Sequence, residues 1–211
     1  MYTPNENMQK LKTYSTKYVR IYSWLHFPLY GALARSMVAK RNIMLQPSDI
    51  CSDKKYVFAV NHQGQPDFFV VFFGMPGELH RLLGPYRFFI ANRFFINPFL
   101  GWMLRSFGGF PAKKHTKYNW GIPAAKQAMA RGEAVVIFPE GKVSLVERRY
   151  APLRGVEVLA QGPDVLIIPA RVKWFRNPKV INGYKLAIGK PFDAHGMKAN
   201  QIMDRVYSLK F

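Results

Sequence analysis

Cysteine is nearly absent from this chain of 211 residues: Cys51 stands alone. No internal disulfide can form, which excludes a disulfide-stapled scaffold and points to a reducing, cytosol-facing setting. The five histidines are scattered, and no Cys/His pair has zinc-ligand spacing. Acidic side chains are scarce, 12 Asp and Glu against 31 Lys and Arg, for a formal net charge of +19. A field of that sign attracts anions, whether nucleic acid, anionic lipid or an acidic carrier protein. Long apolar runs are missing too. The longest near the N-terminus, "IYSWLHFPLYGALA" at 21–34, contains His26 and Pro28 and falls short of the about 20 residues a spanning helix needs. The opening "MYTPNENMQK" is polar where a signal peptide needs an apolar core. G-x-S-x-G, Walker and G-x-G-x-x-G motifs, repeats and low-complexity segments are all lacking, which removes the commonest hydrolase, nucleotide-phosphate and dinucleotide signatures.

What remains is 49% apolar residues, enough for one globular domain with a real core. Residues 5–42 read as helical, kinked at Pro28. Tyr22, Trp24, Phe27 and Tyr30, flanked by Lys17, Arg20, Arg35, Lys40 and Arg41, suit the membrane–water interface. An amphipathic helix packed on the core is the alternative. The expected organisation is an amphipathic membrane-docking segment at 1–42 and a catalytic domain at 43–211.

Beyond residue 50, strands and helices alternate. "YVFAV" (56–60), "YRFFIA" (86–91), "GGFPA" (108–112), "AVVIF" (134–138), "VLIIPARV" (165–172) and "YKLAIG" (184–189) read as strands. Helices are expected after Pro66, over "NPFLGWMLRSF" with Asn97 as N-cap and Pro98 at the first position, over "NWGIPAAKQAMARG" and "LRGVEVLAQG", and over 197–209. This alternation predicts a single α/β domain with a mostly parallel central sheet flanked by helices.

Between two apolar runs lies "NHQGQPD", residues 61–67. His62 and Asp67 are five positions apart, which suits neither one helix face nor one strand face. If they interact, the chain between them turns, and Gly64 and Pro66 are turn residues. A neutral imidazole removes a proton from a hydroxyl, and a carboxylate on its other nitrogen orients the ring and stabilises the imidazolium. On that spacing alone, a loop histidine beside a helix-capping aspartate is the better explanation of the residues. "FPEGK" (138–142) also follows an apolar strand, and in parallel sheets reactive loops collect at the carboxyl ends of strands.

Together, "NHQGQPD" and "FPEGKVS" resemble the first and third signature blocks of the glycerophospholipid acyltransferases, the group that contains lysophosphatidic acid acyltransferase. "FGGFPAKKH" (107–115) falls where the second block belongs. "LRGVEVLA", "VLIIPARV" and "AIGKPF" resemble later blocks, so the resemblance spans about residues 56–192. It implies transfer of a fatty acyl group from an acyl thioester, acyl-CoA or acyl carrier protein, to the hydroxyl of a lysophospholipid, 1-acylglycerol-3-phosphate above all. The net charge and the basic, aromatic N-terminal segment put the expected location at the cytoplasmic face of an anionic membrane. No resident cofactor and no metal are implied, since the thioester is already activated. Carried across, His62 is the general base and Asp67 its orienting partner. Glu140 and Gly141 organise the acceptor site, with backbone amides near Gly141 facing the oxyanion.

Two positions depart from the pattern. Where the second block usually ends in arginine, this chain has Lys114. Where the third block usually carries one after its glycine, the run Lys142, Val143, Ser144 places Val143. Lys114 and Lys142 are then the cations left for an acceptor phosphate, without the bidentate fork of arginine. Val143 leaves room for a second reading, a non-phosphate acceptor. The aromatic stretch at 86–107 suits core packing, an acyl channel or a membrane-facing surface. A basic nucleic-acid-binding module accounts for the charge but gives no reason for His62, Asp67 and "FPEG".

Overall fold

The structure is a computed structural model that describes residues 38–64, 67–112, 121–144, 148–177 and 180–211. Strands β1 (Val38–Ile43), β2 (Lys55–Val60), β3 (Tyr86–Ala91), β4 (Gly109–Ala112), β5 (Ala134–Ile137), β6 (Val165–Asn177), β7 (Val180–Ile188) and β8 (Phe192–Asp193) form one sheet. Its order is β1-β7-β6-β2-β5-β3-β4, with β8 on β6. The ladders β2–β5, β2–β6, β3–β5, β3–β4 and β1–β7 are parallel, and β7 and β8 run antiparallel to β6.

The central strands are apolar on both faces because both are covered, as parallel sheets require. Along β2, Phe58 and Val60 join a core with Val70, Val71, Leu79 and Leu83 of helices α1 (Asp67–Gly74) and α2 (Gly77–Leu83). The alternate residues Val57 and Ala59 join a second core on the opposite face. There they meet Ala128 of α4 (Gly121–Ala130), Leu159 of α5 (Gly155–Ala160) and Ile202 of α6 (Ala199–Ser208). Phe58 is fully buried, so truncating it to alanine costs about 3–5 kcal/mol.

Helix α3 (Pro98–Ser106) starts as expected: the Asn97 side chain accepts a hydrogen bond from the Leu100 amide at 3.0 Å. Helix α4 ends in a turn whose Gly132 has φ +78°, the left-handed conformation that glycine adopts without strain.

Several readings change. Residues 38–42, expected as the end of a helix, form most of strand β1, so the sheet begins at Val38 and not after residue 43. β1 is a half-exposed edge strand, VAKRNI, whose charged residues hide the strand pattern and supply the polar edge that deters stray pairing. The remainder of the segment, residues 1–37, and its membrane-docking role lie outside the described residues, as do Pro66 and Lys114. Helix α2 was not expected, because its short GELHRLL run lacks an N-terminal capping side chain. Strand β6 continues to Asn177, well past the expected "VLIIPARV".

Candidate active site

Strands β2 and β5 are parallel neighbours, so the loops that follow them share one end of the sheet. The first loop is built by substitution of side chains for backbone. After Val60 pairs with Ala170, β2 leaves the sheet while β6 continues. Asn61 fills the place of the missing strand: its amide donates to the Val172 carbonyl at 2.8 Å and its Oδ1 accepts from the Val172 amide at 2.7 Å. Gln63, two residues on, accepts from the Trp174 amide at 2.7 Å. Side chains thus satisfy β6 while the main chain turns.

That turn brings His62 and Asp67 together. Asp67 opens α1 and is wholly buried. Its Oδ2 accepts from His62 Nδ1 at 2.9 Å, the Gln63 amide at 2.5 Å and the Gly64 amide at 2.8 Å. Three donors and the helix N-terminus offset the cost of burying a carboxylate. The five-residue spacing is thus the length of one loop that folds back onto the first residue of its helix. Burial, with the neighbouring Asp67 carboxylate adding to it, pushes the Tyr184 phenol of β7 up to about 12.

Glu140 fixes the histidine from behind. One carboxylate oxygen accepts from the His62 amide at 3.0 Å. The other accepts from the Tyr150 amide at 3.2 Å and from the Tyr207 hydroxyl. The Ser144 amide donates to the His62 carbonyl at 2.8 Å, and the Phe138 ring stacks on the imidazole with centroids 4.4 Å apart. His62 is therefore held through its amide, carbonyl, Nδ1 and ring face. Its side chain keeps 19% exposure, and Nε2 is the ring nitrogen left to face a reactant.

Glu140 is 3% exposed, with both oxygens occupied by protein groups, so it organises the site by tying the loops and not by direct contact with a ligand. Gly141 sits at φ +56° in the turn, and its amide is committed to the Phe138 carbonyl at 2.9 Å. The Gly141 amide itself is thus not an oxyanion donor. Lys142 is exposed, with Nζ 5.6 Å from the Tyr150 ring centroid.

Sequence reasoning missed Asn61 and Gln63 as builders, although their alternate spacing was a signal. It missed Phe138, Tyr150 and Tyr207 as supports. Tyr207, in the last helix, carries no local signal at all. Burial and its bond to Glu140 raise its phenol pKa, so the hydroxyl remains a donor through the neutral range.

No curated protein matches the chain significantly. Among solved structures, the 1-acyl-sn-glycerophosphate (LPA) acyltransferase PlsC from Thermotoga maritima is similar in fold, with a TM-score of 0.53 and 15% identity over 98% of this chain and 82% of that one. The profile of the Acyltransferase family matches residues 38–173, which include His62, Asp67 and Glu140 and exceed half of the sequence. The chain belongs to the Acyltransferase family.

Proposed function

We propose that this acyltransferase moves a fatty acyl group from an acyl thioester, acyl-CoA or acyl carrier protein, to the hydroxyl of a lysophospholipid, with 1-acylglycerol-3-phosphate as the favoured acceptor, in phospholipid biosynthesis. The observation that carries the reading is the His62–Asp67 pair at 2.9 Å, buried on the carboxylate side and open at Nε2. Nε2 takes the acceptor's hydroxyl proton as the oxygen attacks the thioester carbonyl. The tetrahedral intermediate collapses by breaking the C–S bond, and the imidazolium returns the proton to the leaving thiolate. Asp67 stabilises the imidazolium throughout. The thioester supplies the activation, so the proposed chemistry calls on no resident cofactor.

Oxyanion stabilisation falls to amides beyond Gly141. Among the described residues, those of Lys142 and Val143 donate to no partner. Lys142 and Lys114 are the proposed phosphate cations, one on each loop that the family pattern places beside the base. The phosphate-bearing acceptor has its support in the named activity of the Thermotoga maritima protein. The non-phosphate reading has its support in Val143, which cannot bind an anion through its side chain.

No helix among the described residues is long and apolar enough to cross a membrane. The proposed location is the cytoplasmic face of an anionic membrane, with the N-terminal segment as one anchor.

An acceptor screen with one acyl-CoA and one acyl carrier protein, read by free thiol release, tests the function. Thiol release should require a lysophospholipid, favour the phosphate-bearing one, and vanish in folded His62→Ala protein. Lys114→Ala should raise the acceptor KM and leave the donor KM nearly unchanged. Equal rates on acceptors with and without phosphate would establish the second reading. Parent rates in His62→Ala would overturn both.

A further inference from the structure

We propose that the segment from Arg93 to Arg105 is a second lipid-binding surface, one that sets the reaction end of the sheet against an anionic bilayer. β3 is parallel to β5, with Tyr86 opposite Ala134 and Phe88 opposite Val136. The chain leaving β3 therefore emerges at the same end as the His62 and Glu140 loops, two strands or about 10 Å from β2. It forms a 3-10 turn at Asn92–Phe95 and then helix α3. This is the most apolar exposed feature described: Ile96 is 78%, Phe99 72% and Trp102 42% exposed. Phe99 and Trp102 share one helix face, with ring centroids 6.1 Å apart. Whole side chains of Ile and Phe left in water are costly unless something covers them.

Charge says what covers them. Arg93 lies over the Phe94 ring and Arg105, one turn after Trp102 on α3, over the Phe95 ring, each 5.0 Å from the centroid, so guanidinium groups flank the apolar segment at both of its ends. No acidic residue occurs between Glu78 and Glu133, and the segment sits midway in that acid-free stretch. Apolar tips between cationic flanks fit acyl chains beneath anionic headgroups. A single-stranded nucleic acid would stack on Phe99 and Trp102 but leave Ile96, the most exposed of the three, in water. With the acyltransferase reading on which it rests, the surface explains how an acceptor reaches His62: it is delivered from the leaflet into which this segment dips.

The test uses the full chain. An environment-sensitive fluorophore is placed at Phe99→Cys in a Cys51→Ser background and, separately, on the native Cys51. Cys51 is exposed and precedes the amino end of β2, at the opposite end of the sheet. Vesicles of phosphatidylglycerol and phosphatidylcholine should shift the Phe99→Cys probe to the blue, with quenching by lipids spin-labelled in their acyl chains. The Cys51 probe should stay in water. The double variant Ile96→Ser/Phe99→Ser alters only exposed tips. It should lower transfer to a vesicle-borne acceptor by about tenfold or more and keep the parent rate on a short-chain acceptor dispersed as monomers. A Phe99→Cys probe unchanged on vesicles that bind the protein would overturn the proposal. So would a blue shift that depends on protein concentration without lipid, which would make the patch an interface between copies. Absence of transfer by the parent protein to any acceptor would instead sink the acyltransferase reading, while the fluorescence still decides the lipid surface.

Discussion

Replacing Asp67 by asparagine separates geometry from charge at this site. The new side chain is isosteric, and its oxygen can take the place of Oδ2, keeping the bonds from His62, Gln63 and Gly64. Its amide then occupies the Oδ1 position, which has no hydrogen-bond partner among the described residues. A buried unpaired amide costs about 1–3 kcal/mol, so Tm should fall by several degrees while the protein stays folded at assay temperature. The kinetic loss should be larger. With Nδ1 and Oδ2 2.9 Å apart, the charge centres of imidazolium and carboxylate lie about 4 Å from each other. Opposite unit charges at that distance attract by about 4 kcal/mol at an effective permittivity near 20. A general base takes on charge only as the proton moves, so this energy acts on kcat. At 1.36 kcal/mol per tenfold, kcat should drop by about 10³ with both KM values nearly unchanged. Thiol release followed at saturating donor and acceptor measures it, with a thermal melt to confirm folding. A folded Asp67→Asn protein that keeps kcat within tenfold of the parent would show that His62 needs no anionic partner, and the dyad assignment would fall.

Two further outcomes follow from the supports around the site. Tyr207→Phe removes the hydroxyl that Glu140 accepts; it should cost about 1 kcal/mol of stability and reduce kcat several-fold at unchanged donor KM, whereas an unchanged kcat would mean that the two amides hold Glu140 unaided. At the amino end of β5, Glu133 bonds Arg87 at 2.6 Å and Arg131 at 3.0 Å. Burial opposes ionisation there, but the two guanidinium groups outweigh it and lower the carboxyl's pKa below its ordinary value of 4.5. That stability is therefore complete above about pH 4.5 and is lost as pH falls through the lowered folded value. Glu133→Gln should destabilise the protein by about 3 kcal/mol near neutrality and flatten the acid limb of a Tm-versus-pH curve; an acid limb as steep as the parent's would place the acid-sensitive group elsewhere.

The local pattern along the chain was enough to define most elements and the chemistry-bearing residues. Apolar runs bounded by Gly and Pro located strands β2 to β5 within a residue or two, and Asn97 with Pro98 marked the start of α3, because strand burial and helix capping are short-range effects. His62, Asp67 and the "FPEG" turn were legible as residue types at family spacing. Other features depended on partners distant in the chain. Strand β1 exists only because β7 offers it a parallel edge, and its own charged sequence gives no strand signal. Glu140 was legible as an organiser of the acceptor site, but only the folded chain shows how, with both of its oxygens taken by His62, Tyr150 and Tyr207. Likewise, 86–107 read as one aromatic block. Tertiary packing divides it into Phe88, sealed in the core, and Ile96 and Phe99, left in water, since burial is decided by which elements cover a segment. Sequence alone therefore determined which residues are candidates for the reaction, and the tertiary structure decided which of them stand open to a reactant and which hold the others in place.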